Sequence, residues 1–325
     1  MAIVAVLALM LAVAGPTLLV VYLVRPDALT ALPSTALWAV AAAVFANFLL
    51  GLVVYHESRR QLAMPMVIRS ALRRQEFFLA YQPLVDLATR QWVGAEALIR
   101  WQRSNGEIVP PNVFLSAAED AGLIQRITRR VFELVTRDAG DLFDHYPGFQ
   151  LALNLSAADL HDEATVAQLR ALGEQLHAKP GNLVIEANER GFANPRLAGL
   201  IVERLCGAGM RVAIDDFGTG PSTLGHLQRI KLDFLKIDKS FVDTIGTDAA
   251  TSDVAAHIID IARTLQLEII AEGVENEAQA RFLQERGVRY AQGWLFARPL
   301  PLKELRERLV KQSAAAASTT GPAPG

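Results

Sequence analysis

The sequence predicts an α/β chain: a TIM-like (β/α)8 barrel with an antiparallel first strand, preceded by two transmembrane helices. Three observations predict it. Eight short apolar runs alternate with helix-length segments from Phe78 onward, the first two runs are joined by only a few residues, and two long uncharged runs precede residue 56.

The N-terminal run Ile3–Val24 holds no charged residue. At a rise of ~1.5 Å per residue it is long enough to cross a ~30 Å hydrocarbon core, and Pro16 is tolerable in such a helix. Leu37–Tyr55 is likewise uncharged, and the connector Arg25–Thr35 is too short to fold alone. Residues 1–58 therefore read as a transmembrane helical hairpin. Arg59, Arg60, Arg69, Arg73 and Arg74 follow the second run, while the connector offers only Arg25, so the positive-inside rule places the downstream domain in the cytoplasm. Ala12-Val13-Ala14 has the small residues of a signal-peptide cleavage site, but the positive n-region is missing.

Residues 59–311 read as the barrel. Its expected strands are Phe78–Val85, Trp92–Ile99, Gln150–Leu155, Leu183–Glu186, Arg211–Asp215, Phe234–Ile237, Leu267–Ala271 and Tyr290–Leu295. The residues around Ala88–Gln91 make a hairpin, not a crossover, so the first strand runs antiparallel. Ala164–His177, Pro195–Gly207, Ser252–Leu265 and Glu277–Arg286 suit right-handed crossover helices. The tail 312–325 has no core-forming residues and is expected to be disordered.

Lys+Arg 32 against Asp+Glu 34 leaves no basic excess, which argues against DNA or RNA polymers as partners. The only cysteine, Cys206, permits no intrachain disulfide and reads as a buried structural thiol, and the six histidines show no zinc spacing.

Function is signalled by polar residues at the strand ends. Glu96, Asn154, Glu186, Asp215 with Asp216, Lys236 and Glu272 fall at or near such an end, and Gln292 opens the last run. In a barrel these ends share one face, where barrel enzymes place their active sites. Singly, Asn154 suits a helix cap, Lys236 a surface ion pair and Asp216 a turn before Gly218. Together, converging carboxylates would repel one another without a cation, and an oxygen-only donor set suits Mg²⁺ or Mn²⁺ over zinc. Adjacent aspartates can place one carboxylate between two ions, as in two-metal attack on phosphodiesters.

Over roughly Val67–Leu309 the chain resembles the EAL domain family, which cleaves cyclic di-GMP. The resemblance rests on Tyr81-Gln82-Pro83, Glu96-Ala97-Leu98 with Arg100-Trp101, Asn154-Leu155-Ser156, Asp215-Asp216-Phe217-Gly218-Thr219-Gly220, Leu235-Lys236-Ile237-Asp238, Ala271-Glu272-Gly273-Val274-Glu275 and Gln292-Gly293. It implies that Glu96, Asn154, Glu186 and Asp215 hold one metal ion, and that Asp215, Asp216 and Glu272 hold a second. Lys236, with Glu272 and Asp216, then serves catalysis by orienting or activating the attacking water. Arg100, Gln82, Gln292 and Glu275 are implied on the substrate side, and Glu189 braces the loop Asp216–Ser222. A homodimer through the barrel and a multi-pass place in the bacterial inner membrane, in contact with lipid, complete the expectation.

Two positions depart from the family pattern: Asn188 in Glu186-Ala187-Asn188-Glu189, and Pro221 after Gly220. Neither is an implied metal ligand. The alternative is a domain that binds cyclic di-GMP, or a partner protein, without cutting it. Such domains lack an acidic ligand or the lysine, and here all those positions are filled.

Overall fold

The computed structural model describes residues 45–46, 48–53, 64–218, 230–247 and 253–319. The chain divides into two compact units, Met1–Ile68 and Arg69–Gly325. In the first, the described residues are helical and include part of the second uncharged run. The first run, and the remainder of the second, lie outside the described residues. Among the described residues no helix is long and apolar enough to cross a membrane.

The second unit is a closed barrel. Its strands are β1 (Phe77–Asp86), β2 (Trp92–Gln102), β3 (Ile108–Val109), β4 (Gln150–Leu155), β5 (Leu183–Asn188), β6 (Arg211–Phe217), β7 (Phe234–Ile237), β8 (Glu268–Ala271) and β9 (Tyr290–Ala291). The order β1-β9-β8-β7-β6-β5-β4-β2-β3, with β1 also paired to β2, closes eight strands and leaves β3 as an edge appendage. β1 runs antiparallel to both β2 and β9, and β2 through β9 around the ring are parallel. The short connection after β1 forces this: Asp86 accepts from the Ala88 and Thr89 amides, and Arg90 adopts φ 58 to turn the chain back.

Helices Glu163–Gln175, Pro195–Gly207, Val254–Thr264 and Glu277–Glu285 occupy the expected crossover segments. The interior holds a layer of Leu84, Ala152, Val184, Ala213, Phe234, Ile270 and Tyr290, one from each of seven strands. On β2 the matching place is Gly94, where an added Cβ would stand 2.7 Å from the Gln150 carbonyl oxygen.

Three expectations are corrected, and one strand, β3, is additional to them. The last helix, Leu302–Thr319, takes in the first part of the tail expected to be disordered. Ala314–Ala317 are strong helix formers, and the Gln312 amide bonds both the Trp92 N–H (2.8 Å) and the Trp92 carbonyl (3.2 Å). The final strand stops at Ala291, because the chain turns at Gly293, whose carbonyl accepts from Phe296 and Ala297. β3 is too short to show an alternation in sequence. Cys206 is half-buried, its thiol 3.9 Å from the Lys231 carbonyl.

Candidate active site

Side chains two residues apart on a strand point to the same face. One step of two beyond the apolar layer, toward the carboxyl ends of the parallel strands, therefore stands a second inward layer. It consists of Gln82, Glu96, Asn154, Glu186, Asp215, Lys236, Glu272 and Gln292, with the last two just past β8 and β9. The hydrophobic floor thus sets the height and direction of the polar layer above it.

Lys236 is its centre. The side chain is 1% exposed, and Nζ lies 2.6 Å from Glu272, 2.7 Å from Glu186, 3.2 Å from Asp215 and 3.4 Å from Glu96. Burial alone would lower the lysine's pKa, but the four carboxylates outweigh it and hold the ammonium well above its ordinary value. Burial lifts Glu186 well above the usual carboxyl range and Glu272 to about 8, against the pull of Lys236. Glu96 is also buried, yet Lys236 and hydrogen bonds from Gln292 and Asn154 hold it below its ordinary value.

Two amides organise the acids. Asn154 Nδ2 donates to Glu96 at 2.6 Å, and Gln292 Nε2 donates to Glu96 and to Glu272, both at 2.8 Å. Ser156 takes the helix-capping role: its hydroxyl accepts from the Asp159 amide, and Asp159 returns a bond to the Ser156 N–H. Asp159 is fully buried and also accepts from Thr128, tying the strand end that carries Asn154 to the helix Ile124–Ala139. The spacing Ser156-x-x-Asp159 signals this box in sequence.

Among the described residues no three His, Cys, Asp or Glu side chains form a ready metal cage, and the Lys236 ammonium stands where the carboxylates meet. The donor set still fits a hard cation. Four carboxylates against one ammonium leave three negative charges when all are ionised (four minus one), in a buried mouth supplied with oxygen donors alone.

This inward ring of acids around one lysine is borne on the strand ends of a segment, residues 67–299, that matches the EAL domain. The chain belongs to the EAL domain family. Probable cyclic di-GMP phosphodiesterase PdeN of Escherichia coli is 37% identical over 262 residues, covering 80% of this chain and 51% of that protein. Bifunctional diguanylate cyclase/cyclic di-GMP phosphodiesterase MucR of Pseudomonas aeruginosa is 34% identical over 250 residues, 76% of this chain and 36% of that protein. The solved PaMucR phosphodiesterase, a c-di-GMP complex, superposes with a TM-score of 0.70 at 34% identity, covering 74% of this chain and 99% of that one. An EAL domain protein from Listeria monocytogenes gives a TM-score of 0.64 at 29% identity, covering 74% and 95%. The chain spans about half the length of the first curated relatives it matches.

The remaining site residues of this EAL domain are placed less uniformly. Arg100 is half-buried on β2 and donates from Nη1 to the Ile99 carbonyl at 3.0 Å. It shares a cavity with Glu96, Asn154, Ser156 and Asn188. Gln82 is buried and donates to the Ala297 carbonyl at 2.9 Å, so it fastens the turn after β9. Glu275 is exposed and paired with Lys239 at 2.7 Å. Glu189 accepts from the Gly218 amide at 2.9 Å, and its other oxygen is buried without a partner among the described residues. Asn188 accepts from the Gly191 amide and caps the 3-10 turn Glu189–Phe192, so this departure preserves a cap. Asp216 takes φ 54 and Gly218 φ 91 as the chain leaves β6. Residues 219–229, with Pro221, lie outside the described residues.

Proposed function

We propose that this EAL domain is a metal-dependent phosphodiesterase that hydrolyses cyclic di-GMP to linear pGpG. The observation that carries the reading is the meeting of Glu96, Glu186, Asp215 and Glu272 on Lys236 in the barrel mouth. The names of relatives matched along most of this chain point the same way.

Uncatalysed phosphodiester hydrolysis is slow because the anionic ester repels hydroxide and the leaving alkoxide is poor. Glu96, Asn154, Glu186 and Asp215 would hold one Mg²⁺ or Mn²⁺, and Asp215, Asp216 and Glu272 a second. Such a pair supplies an activated water and neutralises charge at both ends of the displacement. Lys236, kept protonated by its acids, would orient the attacking water by hydrogen bonding and offset the developing charge. Gln292 fixes Glu96 and Glu272 relative to each other. Arg100 offers a guanidinium fork to a substrate phosphate. The test is product analysis with purified chain, cyclic di-GMP and Mg²⁺ or Mn²⁺. Linear pGpG is expected, and Ca²⁺ should bind with little turnover. Stoichiometric binding without product would replace this reading with a receptor.

The uncharged runs Ile3–Val24 and Leu37–Tyr55, with the arginines after them, support placing the barrel on the cytoplasmic side of the bacterial inner membrane, where it would lower the local messenger level. Reporter fusions in the Arg25–Thr35 connector and at Gly325 test the topology: a periplasmic signal from Gly325 alone would refute it.

A further inference from the structure

The helix Ile124–Ala139 has two working faces. Ile127, Val131, Leu134 and Val135 are buried, and Ile127 and Thr128 line the cavity beside Glu96. The other face carries Arg126, Arg129, Arg130 and Glu133 at i, i+3, i+4 and i+7. These four line a cavity of about 210 Å³ with Leu72. Leu72 lies on the helix 64–74, which also carries Arg69 and Arg73 at i, i+4 to each other.

Arg69, Arg73, Arg126 and Arg129 are exposed. Among the described residues Glu133 is the only acid lining the cavity, and it already pairs with Arg130 Nη1 at 2.8 Å. Arg130 Nε is shut off from solvent with no acceptor among the described residues. Three arginines against one acid line the cavity, an excess of two positive charges (three minus one) that the phosphodiesterase chemistry does not use, and Arg69 and Arg73 on the helix 64–74 add to it. In sequence, Arg69 follows the uncharged run that ends at Tyr55, with Arg59 and Arg60 between them.

We infer that this basic face docks on the anionic phospholipid headgroups of the membrane leaflet. A phosphodiester oxygen is the acceptor a guanidinium fork fits, and an array of such anions matches charges spread over two helices. The inference uses the anchoring reading for proximity to the leaflet, while the attraction itself comes from the arginines.

The test uses the full chain with vesicles of phosphatidylcholine, alone or mixed with phosphatidylglycerol. Hydrogen exchange in 64–74 and 124–133 is expected to slow on the anionic vesicles only. The protection should vanish near 1 M salt, where the Debye length is about 3 Å. Arg126→Glu with Arg129→Glu should weaken it by about tenfold, since each basic residue contributes a few-fold to partitioning, while turnover stays unchanged. Arg129→Gln alone should weaken it partially, which guards against a misfolded double variant. Equal exchange on both vesicle types, or indifference to the substitutions, overturns the inference. Equal protection by inorganic phosphate in solution also overturns it, assigning the face to a soluble anion. Flotation on phosphatidylcholine alone reports the anchor separately. If that fails, the basic face still predicts salt-sensitive flotation on anionic vesicles, and failure there refutes it.

Discussion

Lys236 Nζ lies 2.6 Å from a carboxylate oxygen of Glu272, and three further carboxylates stand within 3.4 Å of the same nitrogen. The lysine is the internal counter-cation of the mouth. Removing one partner of a buried ionic cluster costs about 3–5 kcal/mol. Lys236→Met should therefore lower the melting temperature of metal-free protein, and Mn²⁺ should restore more stability to the variant than to the wild type. It should also lower kcat with less effect on substrate binding. Thermal unfolding with and without Mn²⁺ checks the first claim, and an unchanged metal-free melting temperature counts against it.

Glu96→Ala and Asp215→Ala are expected to abolish turnover with the barrel intact by circular dichroism. Gln292→Leu should cut kcat more mildly, because it frees Glu96 and Glu272 from their shared amide without removing either acid. A Gln292→Leu enzyme with full kcat would remove the amide's organising role.

Gly273 follows Glu272 at φ 67, and a Cβ there would collide with the aliphatic stem of Lys239. Lys239 is held by Asp243 and Glu275, both at 2.7 Å, so relief must come partly from the strand end carrying Glu272. Gly273→Ala should cost about 1–3 kcal/mol from left-handed strain and lower kcat. Urea unfolding with steady-state kinetics reads both, and normal values for each would show that Lys239 gives way freely.

The opposite end of the barrel is closed by charge. Arg211 reaches Glu268 at 2.5 Å and Asp233 at 3.4 Å and lies over the Phe234 ring, while Arg289 bridges Asp86 and Glu268. Arg211→Met should destabilise by about 1–3 kcal/mol, as for hydrogen bonds to charged groups, with kcat and KM unchanged. A kinetic effect larger than the stability effect would contradict this division of labour.

Burial alone would raise the Asp86 carboxyl, but hydrogen bonds from Thr89, Ala88 and Arg289 outweigh it and hold it below its ordinary value. A depressed folded pKa gives stability that is present above the unfolded value, about 3.9, and lost as pH falls through the folded one. The stability gap between wild type and Asp86→Asn should therefore be constant near neutrality and shrink below about pH 4. A gap independent of pH down to acid unfolding would refute the linkage.

Much of the fold was legible because it is written locally. Strand alternation, the short Ala88–Gln91 connection and the helix-length crossovers are properties of neighbouring residues, and the eight strands and the antiparallel first one appear where they imply. The site was legible for the same reason: polar side chains two residues beyond apolar ones on successive strands must share a layer if the strands close. β3, the helical start of the tail and the cap by Asn188 depend on contacts too short or too distant to leave a periodic trace, whereas the Ser156 cap is signalled by its spacing to Asp159.

By itself, then, the sequence determined which residues enter the polar layer, since period-two geometry leaves each side chain only one face. Only the tertiary structure decided what each does there. Closure of the ring directs four acids from four strands onto one lysine, sends Gln82 to the Ala297 carbonyl and Glu275 to Lys239, and leaves Arg100 beside the mouth. Partner choice across strands far apart in sequence follows from barrel closure and burial, where every desolvated charge must find its counter-charge in space.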